Sequence, residues 1–155
     1  MNRQWLRAES HRRMRWKNGK GETIEVAVHP PGATLETFDW RISMAAVVED
    51  GDFSSFAGID RTLAVLGGGP LGLTVGGASP VQLAAKGAPW SFPADVPCHA
   101  RLHGEPVTDL NVMTRRGRWR HRLVRLVRGE VLHLAATTSV CLAAPGAASL
   151  LEDDT

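Results

Sequence analysis

From Asp39 to Val47 the chain reads Asp-Trp-Arg-Ile-Ser-Met-Ala-Ala-Val, an alternation that suits an extended strand. Successive side chains of a strand point to opposite faces. Trp40, Ile42 and Met44 therefore take one face and Arg41, Ser43 and Ala45 the other. A second stretch, Asp109-Leu110-Asn111-Val112-Met113-Thr114-Arg115-Arg116, has the same character, with Asn111, Met113 and Arg115 in phase. Apolar groups on one face with arginine and serine on the other are unusual if both faces are enclosed. These two strands are expected to put polar groups onto the lining of one small β-barrel.

The rest of the chain is cut short everywhere. Sixteen glycines and nine prolines in 155 residues leave only brief runs between turns, which favours an all-β fold over a helical one. Thr23–Val28, Arg61–Leu66, Leu71–Val75, Cys98–His103 and Val107–Thr114 read as strands. Gly76-Gly77 marks a hairpin that pairs Val81–Ala84 back on Leu71–Val75. Trp119–Val127 and Val131–Val140 read as a closing meander, turned at Arg128–Glu130. Pro89–Asp95 reads as a proline-punctuated corner whose Trp90 and Phe92 plug one barrel end. Residues 1–13 read as a loose arm or first edge segment, and Leu150–Thr155 as a frayed acidic tail. Many short strands with glycine turns favour a barrel or jelly roll, because closure removes exposed edges. A chain of this length fits one domain.

Charge and cysteines narrow the setting. A net charge of +2 gives no strong pull toward nucleic acid or anionic membrane. No apolar run reaches the roughly 18 residues that span a bilayer, and residues 1–13 lack the apolar core of a signal peptide. Cys98 and Cys141 are too few for a disulfide framework. The expected location is cytoplasmic.

Several phrases together resemble the HutD/Ves family: Trp16-Lys17-Asn18-Gly19-x-Gly21, Phe38-Asp39-Trp40-Arg41-Ile42-Ser43-Met44-Ala45, and Asp109-Leu110-Asn111-Val112-Met113-Thr114-Arg115-Arg116-Gly117. Phe53-Ser54-x-Phe56-x-Gly58-Ile59-Asp60-Arg61 and Phe92-Pro93 fit the same order, so the resemblance runs from about Arg15 to Leu134. It implies a cupin-like (RmlC-type) β-barrel with an internal duplication, here pseudo-repeats at about 15–95 and 96–150. It also implies a link to bacterial histidine utilisation and a small anionic ligand such as N-formylglutamate or urocanate. Lys20 departs from the pattern, standing where the family usually has glycine. The chain also ends soon after Leu150-Leu151, where the resemblance implies a further strand. An open edge, or one completed by a partner as in a homodimer, is the expectation.

Arg41, Ser43, Asn111 and Arg115 form the candidate binding constellation. A guanidinium fork grips a carboxylate through two parallel charge-assisted hydrogen bonds, and the neutral polar groups orient it. Arg41 is the expected anchor. The competing reading pairs Arg41 with Asp39, Asp60 or Glu25 merely to satisfy buried groups. Trp16 and Asn18, on their glycine loop, could cover the barrel mouth, although a tryptophan packed sideways into the core is the commoner use. Arg61 could face the ligand beside Asp60, or form a strand-entry ion pair with it.

Metal chemistry finds little support. His99 and His103 would share a strand face but lie about 13 Å apart if extended, whereas metal ligands sit only about 2.1 Å from their ion. No metal and no cofactor is the expectation. No nucleophile motif is visible; Cys98 and His99, as strand neighbours, face opposite ways. An enzyme would have to work by acid–base chemistry without metal, with Glu25 or a histidine as proton carrier. Arg115, Arg116, Arg118, Arg120, Arg122, Arg125 and Arg128 raise a nucleic-acid reading. The low net charge and the absence of tyrosine for stacking disfavour it against a solvated, charged strand face.

Overall fold

A computed structural model describes residues 4–16, 19, 21–127, 129–130, 140 and 142. Two compact units divide the chain, Met1–Arg125 and Leu126–Thr155. Of the second, the described part includes a turn in which Glu130 N–H donates to the Val127 carbonyl at 3.1 Å. Of the strand expected at Val131–Val140 only Val140 is among the described residues, and it lies in no strand; Cys141 and the acidic tail lie outside them.

The first unit is a cupin-like jelly roll. Its strands are β1 (Arg12–Arg15), β2 (Glu22–His29), β3 (Trp40–Val47), β4 (Gly51–Asp52), β5 (Ile59–Gly67), β6 (Leu71–Val75), β7 (Val81–Leu83), β8 (Trp90–Pro93), β9 (Cys98–Leu102) and β10 (Val107–Arg115). One sheet has the order β1-β2-β3-β10-β5-β8 and the other β4-β9-β6-β7. Every pairing is antiparallel. The two stretches singled out in the sequence are direct neighbours: Asn111 of β10 lies opposite Ser43 of β3. No helix among the described residues is long and apolar enough to cross a membrane.

The main apolar core draws on both sheets, with Val47, Leu63, Val65, Phe92 and Val107 from one and Leu71, Leu73, Leu83, Cys98 and Ala100 from the other. Leu63, Leu71 and Leu73 are wholly enclosed, and each such side chain contributes roughly 1.5–3 kcal/mol. A second, smaller cluster gathers Phe38, Ile59, Ala94 and Met113, with Val28, Ala33 and Phe56 packed against it. Gly68 turns the chain out of β5 at φ +95°, where a Cβ would lie 2.0 Å from the Pro106 carbonyl oxygen. Only glycine fits there.

Two expectations fail. Trp90–Pro93 is no corner but an edge strand on β5, with Arg61 opposite Phe92. Trp119–Val127 is no strand. That segment is instead fixed by side chains. His121 lies within 2.6 Å of Thr62 Oγ1 and 2.8 Å of Thr114 Oγ1, and Arg125 donates to the Val65 carbonyl at 3.1 Å.

Candidate functional site

The inner face of the six-stranded sheet is apolar at its ends and polar in its middle. Arg41 and Ser43 of β3, Arg61 of β5, and Asp109 and Asn111 of β10 are all buried. Register gathers them, for Met113 lies opposite both Arg41 and Arg61. Arg61 donates from Nε and a terminal nitrogen to Asn111 Oδ1 at 2.8 and 2.5 Å. Asn111 Nδ2 in turn donates to Asp109 Oδ1 at 2.6 Å. Arg41 Nε donates to Glu25 Oε2 at 2.9 Å, and its Nη1 lies 3.5 Å from Ser43 Oγ.

A bulge makes the Glu25 contact. Residues three apart on a regular strand face opposite ways. In β2 a register shift sets Glu25 opposite Ser43 and Val28 opposite Arg41, so both turn inward.

The two arginines are electrostatically unlike. Arg41 and Glu25 are both largely enclosed, at 5% and 11% side-chain exposure, and they neutralise each other in place. Arg61 rests its fork on a neutral carboxamide and has no carboxylate in ion-pair contact among the described residues. Burial pushes its pKa down, with Asp109 the main opposing charge. The rings of Phe53 and Phe92 flank its guanidinium at 4.8 and 5.9 Å from their centroids, a favourable cation–π setting. Burial also lifts the Asp109 carboxyl to about 6, against the pull of Arg61 and the Asn111 amide.

Other expected site residues lie elsewhere. Arg115 leaves the polar layer and donates from Nε and a terminal nitrogen to the Phe38 carbonyl at 3.1 and 2.6 Å, with Asp39 3.8 Å away. It ties the end of β10 to the entry of β3. Trp16 Nε1 donates to Thr23 Oγ1 at 2.8 Å, and its ring packs so tightly on Gly21 that a Cβ there would sit 2.7 Å from it. Asn18 and Lys17 lie outside the described residues. Asp60 and Arg61 are strand neighbours with different partners: Asp60 meets Arg116 at 2.8 Å.

The arginine run is largely spent on the fold. Arg116 forks onto Asp95 with two contacts of 3.0 Å, Arg118 meets Asp39 at 3.0 Å, and Arg125 holds a backbone carbonyl. Cations engaged this way are poorly placed to neutralise phosphates. The Arg116 fork holds the exposed Asp95 carboxyl down at about 2. In Arg116→Ala, an NMR titration of the Asp95 carboxyl carbon should find its midpoint moved back toward 3.8.

The histidines are dispersed. His99 is exposed and meets Asp52 at 2.7 Å, while His103 is exposed beside Gln82 at 3.2 Å. Among the described residues no group of three or more His, Cys, Asp or Glu is placed to hold a metal ion. Burial pushes the Cys98 thiol up, away from the reactive thiolate.

Two members of the inner site were absent from the expected set. Asp109 is in phase with Asn111, and carrying the alternation back two residues would have found it. Phe53 follows β4 in a loop with no periodic signal and reaches Arg61 only through the tertiary fold.

The family model called HutD matches residues 8–155. An uncharacterised 21.2 kDa protein in the hutC 3′ region of Pseudomonas putida is 36% identical over 141 residues, 91% of this chain and 73% of the relative. Protein Ves of Cronobacter sakazakii is 38% identical over 106 residues, 68% of this chain and 56% of that protein. A solved structure of HutD from Pseudomonas fluorescens SBW25, formate condition, superposes with a TM-score of 0.64 at 39% identity, covering 70% of this chain and 58% of that one. The chain thus spans little more than half the length of Protein Ves and of that HutD structure. The match over nearly all of its length, together with a jelly roll built on the same two polar strands, makes this chain a member of the HutD family.

Proposed function

We propose that the protein is a small-molecule-binding barrel that holds an anionic metabolite of histidine degradation, of the N-formylglutamate or urocanate class, in a buffering or regulatory role. The observation that carries this reading is the buried Arg61 fork resting on a neutral carboxamide oxygen. A ligand carboxylate in place of that oxygen would form two charge-assisted hydrogen bonds in a dry setting. Arg61 is therefore the anchor, and Asn111 and Ser43 are orienting groups. Arg41, matched by Glu25, shapes the site without offering a free charge. The hutC-region name of the Pseudomonas putida relative supports a histidine-utilisation context.

A second reading, metal-independent acid–base catalysis on the same carboxylate, draws on Asp109. Its carboxyl, at about 6, could exchange a proton near neutral pH.

Thermal shift with N-formylglutamate and urocanate tests both. Ligand at a hundred times its Kd stabilises the fold by about 2.7 kcal/mol, and Arg61→Gln should abolish the rise. No rise with either compound, or an Arg61→Gln protein that responds like the parent, overturns the binding reading. Conversion of the bound compound, followed by NMR, would establish the catalytic one.

A further inference from the structure

The outer face of the same sheet carries a second feature. After β10 the chain turns, with the N–H groups of Arg118 and Trp119 donating to the Arg115 carbonyl at 3.2 and 3.0 Å. It then returns over β10 and β5, where His121 is gripped by Thr62 and Thr114. Thr62 also shares a 2.6 Å hydrogen bond with Ser91 on β8. The imidazole is thus held at both nitrogens, and burial pushes its pKa down.

An open pocket of about 360 Å³ lies beside this returning segment. Its wall includes Asp60, Ser91, Pro93, Thr114, Arg120 and His121, with Arg61 and Phe92 also contributing. That volume falls in the range of small-molecule sites. Its charges are of two kinds. Arg120 is exposed and has no carboxylate partner among the described residues. Asp60 is half exposed; its Oδ1 accepts from Arg116 at 2.8 Å, which leaves Oδ2 able to accept from an incoming donor. Arg116 is shared with Asp95 at 3.0 Å, so Asp60 is only partly neutralised. A ligand bearing only a negative charge would meet Asp60, and one bearing only a positive charge would meet Arg120. Pro93 adds an apolar element to the wall.

We infer that this outer pocket is a binding site for a small zwitterion, whose carboxylate meets the Arg120 guanidinium and whose ammonium group donates to Asp60 Oδ2. The clamped His121 ring forms one wall. The Arg61 fork on Asn111 supplies none of the ligand contacts in this assignment.

A five-carbon series tests it on the full chain. Norvaline and 5-aminopentanoate carry both charges at two spacings, pentanoate carries only the acid, and pentylamine only the amine. Each is titrated while the His121 ring resonances are followed by NMR. At least one zwitterion should shift those resonances saturably and bind at least tenfold more tightly than pentanoate or pentylamine. Arg120→Gln, an exposed change, should weaken that binding at least tenfold while leaving the thermal response to N-formylglutamate unaltered. Three outcomes would overturn the inference: no saturable shift with either zwitterion, equal affinity for a singly charged analogue, or an Arg120→Gln protein that binds like the parent.

Discussion

Glu25→Ala should destabilise the protein by about 3–5 kcal/mol, the usual consequence of removing one partner from an enclosed ion pair. The bond it breaks is the 2.9 Å contact from Arg41, both side chains being almost wholly out of solvent. Alanine leaves a guanidinium in the interior with only Ser43 Oγ, at 3.5 Å, nearby. Desolvation of that uncompensated charge outweighs the modest entropy recovered by freeing a glutamate. Urea unfolding reads the effect as a lower midpoint at an unchanged m value. The double variant Glu25→Leu, Arg41→Met supplies the control, because replacing both ions by apolar groups of similar bulk is often neutral or better. A loss below about 1 kcal/mol in Glu25→Ala would show that water reaches Arg41, since a solvated ion pair is worth about that little.

The second large effect is a pH dependence with an unusual sign. The Asp109 carboxyl holds its proton more tightly folded than unfolded, at about 6 against an ordinary 3.8. The folded chain therefore binds more protons than the unfolded chain between those values, and stability falls as pH rises through the interval. The benefit is complete below about pH 4 and gone above about pH 6, an amplitude of roughly 3 kcal/mol at 1.36 kcal/mol per pH unit of displacement. Most paired carboxylates do the reverse. Asp109→Asn should erase this contribution, gaining on the parent by up to about 3 kcal/mol from pH 4 to pH 7. Part of that gain is lost to the altered hydrogen bond with Asn111, at about 1 kcal/mol. Denaturant midpoints of both proteins at pH 4, 5, 6 and 7 give the comparison. Parallel curves would mean that Asp109 titrates as an ordinary exposed acid.

The sequence made the strands and their facing legible where alternation was strict. Arg41 and Ser43 on β3 and Asn111 on β10 come out inward and adjacent because period-two patterning survives in both stretches. Hairpin chemistry was equally readable, as Gly76-Gly77 joins β6 to β7. What stayed hidden depended on events between strands. The bulge that turns both Glu25 and Val28 inward has no local signature, so choosing among Asp39, Asp60 and Glu25 as the partner of Arg41 needed the register of β2. Arg115 is in phase with Asn111 yet sits beyond the polar layer, bound to a carbonyl that belongs to the connection before β3. Trp119–Val127 looked like a strand because its letters alternate, but it is held by side-chain contacts to Thr62, Thr114 and the Val65 carbonyl in place of a ladder.

The position of β10 carries a consequence for how the molecule comes into being. It is the last strand of its sheet to leave the ribosome, yet it fills the gap between two strands made much earlier. A nascent chain that stops short of Val107 holds β3 and β5 with no shared neighbour, two unpaired borders that invite foreign strands. The sheet is then completed by insertion, which demands long loop closure and slows folding. A chain paused within that window leaves uncovered the two strand borders that the finished sheet encloses.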